Sequence, residues 1–201
     1  MAKLKHTKNE LKKQKEALRS YERYLPTLRL KKQELQMELL QLEVKIEQAA
    51  AEEQKFKDSL AEWIQLLSED WELPDFVAVE NVALQVGNIA GVRIPLVKEV
   101  VFKETPPDLH MTPVWIDAGV DALKDIVRLH VERKILEEQS GLLNEELETT
   151  SQQLNLFEKV KIPEATQNIR VIRVFLDDML TAEIGRAKMA KNKLRKKESA
   201  S

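Results

Sequence analysis

Apolar residues recur through the first third of the chain at alternating steps of three and four. Stepping by sevens from Leu4 passes Leu11, Leu18, Leu25, Lys32, Leu39, Ile46, Glu53, Leu60 and Leu67. Stepping from Thr7 passes Gln14, Tyr21, Leu28, Leu35, Leu42, Ala49, Phe56 and Trp63. This spacing puts both tracks on one slowly drifting stripe. It predicts a coiled-coil helix over residues 4 to 70, about 100 Å long at ~1.5 Å per residue. Such a stripe needs a covering partner, and the second half of the chain supplies one. Trp115, Ala122, Leu129, Leu136, Leu143, Thr150 and Phe157 form another heptad track, with Ile126, Leu147 and Leu154 beside it. After Pro163 the pattern resumes as Ala165, Ile169, Ile172, Leu176, Met179, Leu180 and Ile184.

Between the helices the pattern changes. Pro74 stops the first helix, because proline has no amide proton and its ring collides with the preceding turn; the prolines of residues 105 to 113 exclude helix before the second begins. Val77 to Lys103 is rich in β-branched residues, with Gly87-Asn88 and Ala90-Gly91 as turn candidates, which predicts a short β-hairpin. The expected fold is mainly α: a long antiparallel left-handed coiled coil of N- and C-terminal helices, with a small hairpin-containing head between them. The predicted divisions are an N-terminal helix at 1–72, a connector at 73–113 and a C-terminal helix with a basic tail at 114–201. With the turn centred near residue 94, Pro26 falls beside Pro163, Glu53 comes within reach of Arg133 or Lys134, and the C-terminal helix overhangs its partner by about a dozen residues.

Composition supports rods over a globule. Of 201 residues, 33% are charged and only 5% aromatic, with five glycines, a profile of long helices. A formal net charge of -2 gives no global attraction to nucleic acid or membrane. Locally, Lys8, Lys12, Lys13, Arg19 and Arg23 make the start basic, and Arg186, Lys188 and Lys191 open a basic C-terminal run; antiparallel folding brings both to one tip. The absence of cysteine excludes disulfides and thiolate chemistry. Residues 1 to 19 lack the apolar core of a signal peptide. The most apolar run, Val77 to Phe102, is interrupted by Glu80, Arg93, Pro95, Lys98 and Glu99, so no membrane insertion is expected.

No phosphate loop, metal-ligand spacing or catalytic constellation stands out. His6, His110 and His130 are scattered, and the adjacent Asp177 and Asp178 diverge by about 100° on a helix. The sequence therefore predicts no catalytic residues, cofactor or metal. The remaining signals are for binding. The basic tip suits an anionic or protein surface, although charge runs are often only solvated faces, and scarce aromatics there argue against single-stranded nucleic acid. The run from Asn88 to Pro95, with Ile89, Gly91, Val92 and Ile94, is the second candidate: a short hairpin cannot bury so many apolar residues by itself. It is expected to dock on a partner or on the first turn of its own helices.

Four stretches resemble one family. "TKNELKKQKEAL" (7–18) and "LRLKKQEL" (28–35) are similar to the opening and the basic stretch of the D subunit of V-type and A-type rotary ATPases, the central shaft. "NIAGVRIP" (88–95) and "LFEKVKIPEATQNIRVI" (156–172) resemble two further motifs of that family, in the family's order. The length is similar to that of bacterial or archaeal members. The resemblance implies a non-catalytic rotor subunit on the cytoplasmic face of a membrane, coupling ATP hydrolysis or synthesis to hydrogen-ion or other ion transport. It implies that Lys8, Lys12, Lys13, Arg19, Arg23, Arg186, Lys188 and Lys191 enter the bore of the hexamer of A and B subunits. Asn88, Ile89, Gly91, Val92, Ile94 and Pro95 would lie at the end that grips the F subunit and the cap of the rotor ring. Charge reversal at the basic tip is then expected to matter little, whereas Gly91→Asp or Val92→Asp detaches the shaft from its foot. A free-standing helical hairpin, a prefoldin-like chaperone arm or tether, is the alternative.

Overall fold

The computed structural model describes residues 4–60, 76–105 and 115–198. Helix α1 runs Lys8–Leu60. Strands β1 (Val77–Ile89) and β2 (Val92–Glu104) pair antiparallel as a two-stranded sheet. Helix α2 (Trp115–Leu156) leads through a π-helical turn, Phe157–Lys161, into helix α3 (Ile162–Glu198). The expected fold class, two long helical arms and a hairpin, is present, but the strands are thirteen residues each and so longer than the short hairpin anticipated. The expected helix over 61–70 lies outside the described residues. The chain divides into two compact units, residues 1–30 with 150–201, and residues 31–149.

In the first unit α1 starts where Thr7 caps it. Its Oγ1 accepts the backbone N–H of Glu10 at 3.2 Å, satisfying one of the donors a helix start leaves open. The N-terminal turns of α1 then run antiparallel to α3. Asn168 Nδ2 donates to Gln14 Oε1 at 3.5 Å, Arg29 pairs with Glu158 at 2.6 Å, and the rings of Tyr21 and Phe157 lie 5.2 Å apart. Ala165, Ile169 and Ile172 are buried along this seam.

The π turn has a local cause. Pro163 has no N–H to give the carbonyl four residues back, and its ring crowds that carbonyl. The chain widens instead: Ile162 N–H reaches back to Phe157 O, the five-residue step of a π turn. The expected alignment of Pro26 with Pro163 is corrected here. Pro26 is exposed, between Tyr21 and Arg29, whose partners Phe157 and Glu158 lie in the π turn, while Glu164 and Ala165 lie near Gln14 and Ala17. The register is displaced toward a longer α3 overhang. From Asp177 to Arg195 every described residue except the half-buried Gly185 is exposed, and the last ring contact with the N-terminus is His6 on Phe175 at 4.8 Å.

In the second unit Leu35, Leu39 and Leu42 of α1, Leu143 of α2 and Ile94 of β2 form one buried cluster, with Ile89, Ala90, Val92, Leu136 and Leu147 packed around it. The hairpin's tip is thus part of the core. Its turn is Ala90-Gly91, with φ +50° and +83°. Two positive φ angles define the tight turn whose twist matches that of the flanking strands. Asn88 Oδ1 accepts the N–H of Gly91 at 2.9 Å. A Cβ on Gly91 would meet nothing within 4 Å, so Gly91→Ala tests backbone conformation alone. It is expected to cost about 1 kcal/mol, read as a lower urea midpoint with an unchanged helical circular dichroism signal.

Candidate interaction surfaces

The basic tip residues are all on the surface. Lys8, Lys12, Lys13, Arg19 and Arg23 on α1 are exposed, as are Arg186, Lys188 and Lys191 on α3. Lys12 approaches Glu16 at 3.9 Å, an exposed pair that contributes little to stability. The α3 residues stand on the stretch that α1 does not cover, and they share it with Met179, Leu180, Ile184 and Met189, which are 47 to 62% exposed. A single helix carrying both an apolar track and cations is stable in water only marginally.

The hairpin residues divide. Ile94 is 3% exposed and Ile89 and Val92 are half-buried, all turned into the chain's own cluster with Leu35, Leu39, Leu42 and Leu143. Asn88 and Gly91 are exposed. Pro95 is half-buried, and its carbonyl accepts Gln139 Nε2 at 2.5 Å. Of the two expected docking modes, the tip uses its own helices, part-way along α1 and α2 and not at their first turns. A Val92→Asp change therefore acts on the chain's own packing before it meets any partner. The opposite face of the ribbon is open. Alternation puts Val86, paired with Pro95, and Leu84, paired with Val97, on the side away from the cluster, and Val86 is 73% exposed.

A third surface escaped the heptad reading. Met37, Leu40 and Val44 are exposed on α1, at spacings of three and four, and on a helical wheel they oppose the buried seam of Leu35, Leu39 and Leu42. Glu34, Glu43 and Glu47 flank them and are exposed. The signal was available in the sequence as a second, offset track; the stronger seam masked it.

Among the described residues of the same unit one charged side chain is buried. Glu53 is 4% exposed. It accepts hydrogen bonds from Lys57 Nζ at 2.7 Å and Arg133 Nε at 2.7 Å, and His130 Nδ1 lies 3.3 Å away. Arg133 also binds Glu137. The bonds from Lys57 and Arg133 hold the Glu53 carboxyl at about 2, well below its ordinary 4.5, against the opposing effect of burial. Of the two partners that heptad counting left open for Glu53, Arg133 meets it, while Lys134 pairs with Glu137. At the base of the ribbon Lys124 of α2 binds Glu104 of β2 at 2.9 Å.

Among the described residues no group of three or more His, Cys, Asp or Glu is placed to hold a metal ion, and no helix is long and apolar enough to cross a membrane. Long helices with apolar seams in each unit, apolar and basic tracks on their outer faces, and a two-stranded ribbon between them in the sequence define a coiled-coil protein with a β-hairpin. The sequence model for the D subunit of ATP synthase matches residues 10–192. The V-type ATP synthase D subunit of Borreliella burgdorferi is 45% identical over 197 residues, covering 98% of each chain. Those of Chlamydia felis and Chlamydia pneumoniae are 35% and 37% identical, covering 98% and 95% of this chain and 97% and 93% of their own. The chain belongs to the family of V-type ATP synthase D subunits, and so to a complex with other ATPase subunits.

Proposed function

We propose that the chain is the central rotor shaft of a V/A-type ATPase, carrying torque between the catalytic A/B hexamer and the membrane ion-translocating ring without doing chemistry itself. The observation that carries this reading is the α3 overhang, a basic and partly apolar single helix that has outrun α1. Seated in the bore of the hexamer, it would be covered on all sides. Contacts there are mostly charged and replaceable, because a bearing must pass successive partners without a deep well. The ribbon's open face and the outer track of α1 are the surfaces on which the F subunit and the rotor-ring cap would sit, at the cytoplasmic face of the membrane.

The chain has no cysteine, so one placed at Lys188 reports uniquely. In complexes purified through a tag on this chain, the Lys188→Cys variant is expected to cross-link to an A or B subunit, stop ATP turnover, and recover on reduction. Charge reversal at Lys12 or Lys191 is expected to change coupled ATPase activity less than about twofold. Recovery of the chain without A and B subunits, or a cross-link that leaves turnover intact, would overturn the proposal.

A further inference from the structure

We infer that the outer edge of β2 beyond Pro95, together with the stripe of α2 that faces it, receives an extended strand from a neighbouring subunit of the complex. The inference rests on the assembly reading above but not on rotation.

The turn fixes which peptide groups are free. A two-residue turn with both φ angles positive closes on Ile89 and Val92 as a hydrogen-bonded pair. Bonded and non-bonded pairs then alternate, so Pro95, opposite Val86, and Val97, opposite Leu84, turn their peptide groups away from β1. Proline at 95 agrees with this, since the donor it lacks would have pointed out of the sheet. Gln139, itself 4% exposed, donates to the Pro95 carbonyl, which shows that the outward side of β2 faces α2.

Past that bond the two elements part around a cleft of about 550 Å³. Its ribbon wall is Leu96 to Val100 in unbroken succession. Alternate side chains of a regular strand leave by opposite faces, and the register shift between Ala83 and Leu84 leaves Lys98 as a bulged residue between Val97 and Glu99, so the five residues line the cleft through the strand's edge and its bulge together. The other wall is one face of α2, with Arg128, Glu132, Ile135 and Leu136. Lys98 and Arg128 balance Glu99 and Glu132, which leaves no net charge to select an ion or a polyanion. What the cleft offers is outward peptide groups over an apolar floor of Ile135 and Leu136. A helix has its own peptide groups engaged internally and cannot use that edge; an extended segment can. Five residues span about 17 Å, an ordinary strand length, and a third strand would relieve a two-stranded sheet that is marginal alone. The occupant is therefore a strand with apolar or β-branched residues at the alternate positions facing Ile135 and Leu136.

Val97→Pro removes the outward donor without touching the bonds to β1, as Pro95 already does, whereas Val97→Ala keeps it. In the tagged complex, hydrogen exchange over residues 96–100 is expected to be at least about tenfold slower than in the isolated chain. Val97→Pro, with its circular dichroism unchanged, is expected to lose one neighbouring subunit on washing, and Val97→Ala to keep it. Equal exchange in both states, protection that appears in the isolated chain as its concentration rises, or full retention of neighbours by a folded Val97→Pro chain would each overturn the inference. Should the proline variant misfold, the exchange comparison on the unmodified chain decides. Failure to recover A and B subunits sinks the assembly reading, whereas their recovery with a fast-exchanging edge sinks this inference alone.

Discussion

Replacing Ile94 with alanine is expected to lower the stability of the unit formed by residues 31–149 by about 2 to 4 kcal/mol and to loosen the hairpin from its helices. Ile94 is 3% exposed, in a cluster completed by Leu35, Leu39, Leu42 and Leu143, so truncation leaves a cavity that rigid helices cannot close. The effect should not stop at one side chain. A two-stranded ribbon has little stability of its own, so most of what holds β1 and β2 together is their seat on α1 and α2. Urea unfolding gives the magnitude. Hydrogen exchange gives the location: amides of residues 77–104 should lose protection while those of 162–175 keep theirs, the mark of a local opening. Leu35→Ala should behave similarly, and the double variant should cost less than the sum, because both side chains line one cavity. Val86→Ala, on the open face, should shift stability by less than about 0.5 kcal/mol. A loss at Val86 as large as that at Ile94 would mean that the faces of the ribbon have been assigned the wrong way round.

The same cluster shows what the sequence makes legible and what it hides. Leu35, Leu39, Leu42 and Leu143 all fall on heptad tracks, and a seam of period seven needs nothing beyond the chain to be read. Ile94 lies on no such track. Its neighbours Val92 and Leu96 alternate with Arg93 and Pro95, which marks a strand but not which face is covered, since both faces carry apolar residues. Only the docking of the tip on α1 decides between them, and that is a contact between residues far apart in sequence. For this reason "NIAGVRIP" was legible as sticky, while the split of its residues between core and surface was not. The register in the other unit was hidden for a different reason. Counting from an assumed turn centre treats the connection as uniform, and the displacement is already present where Lys31 meets Glu146, ahead of the π turn at Phe157–Lys161, so it originates in the connection and not in the helix that carries Pro163. Glu53 lies on the track by arithmetic and looks there like a defect in the seam. Counting narrowed its partner to Arg133 or Lys134, and the fold selects Arg133. The contribution of Lys57, one turn along the same helix, follows from the spacing of four and could have been read in advance.

Glu53→Gln is expected to destabilise the same unit at neutral pH by about 3 kcal/mol at most, and to abolish most of its loss of stability in acid. The upper figure follows from a carboxyl held at about 2 against an ordinary 4.5, at ~1.36 kcal/mol per pH unit. The sign is fixed by the direction of the shift. Because the folded chain binds this proton more weakly than the unfolded chain, the stabilisation is complete above about pH 4.5 and disappears as the pH falls toward 2. Glutamine keeps the shape and can still accept from Arg133 and Lys57, but without charge, and it leaves Arg133 with Glu137 as its remaining anion. Glu53→Leu separates energy from specificity. An apolar residue of similar length at a buried ion-pair site often costs little, so its stability should recover part of the glutamine loss. The seam would then lack its buried charge, leaving Gln139 and Thr150 as its buried polar side chains, and neighbouring registers one heptad away become stronger competitors. A spin label pair at positions 46 and 140 should report one sharp distance in the parent chain and a broadened distribution in Glu53→Leu. A narrow distribution in the leucine variant, or an acid profile identical in parent and Glu53→Gln, would show that this buried carboxylate neither fixes the register nor governs the acid response.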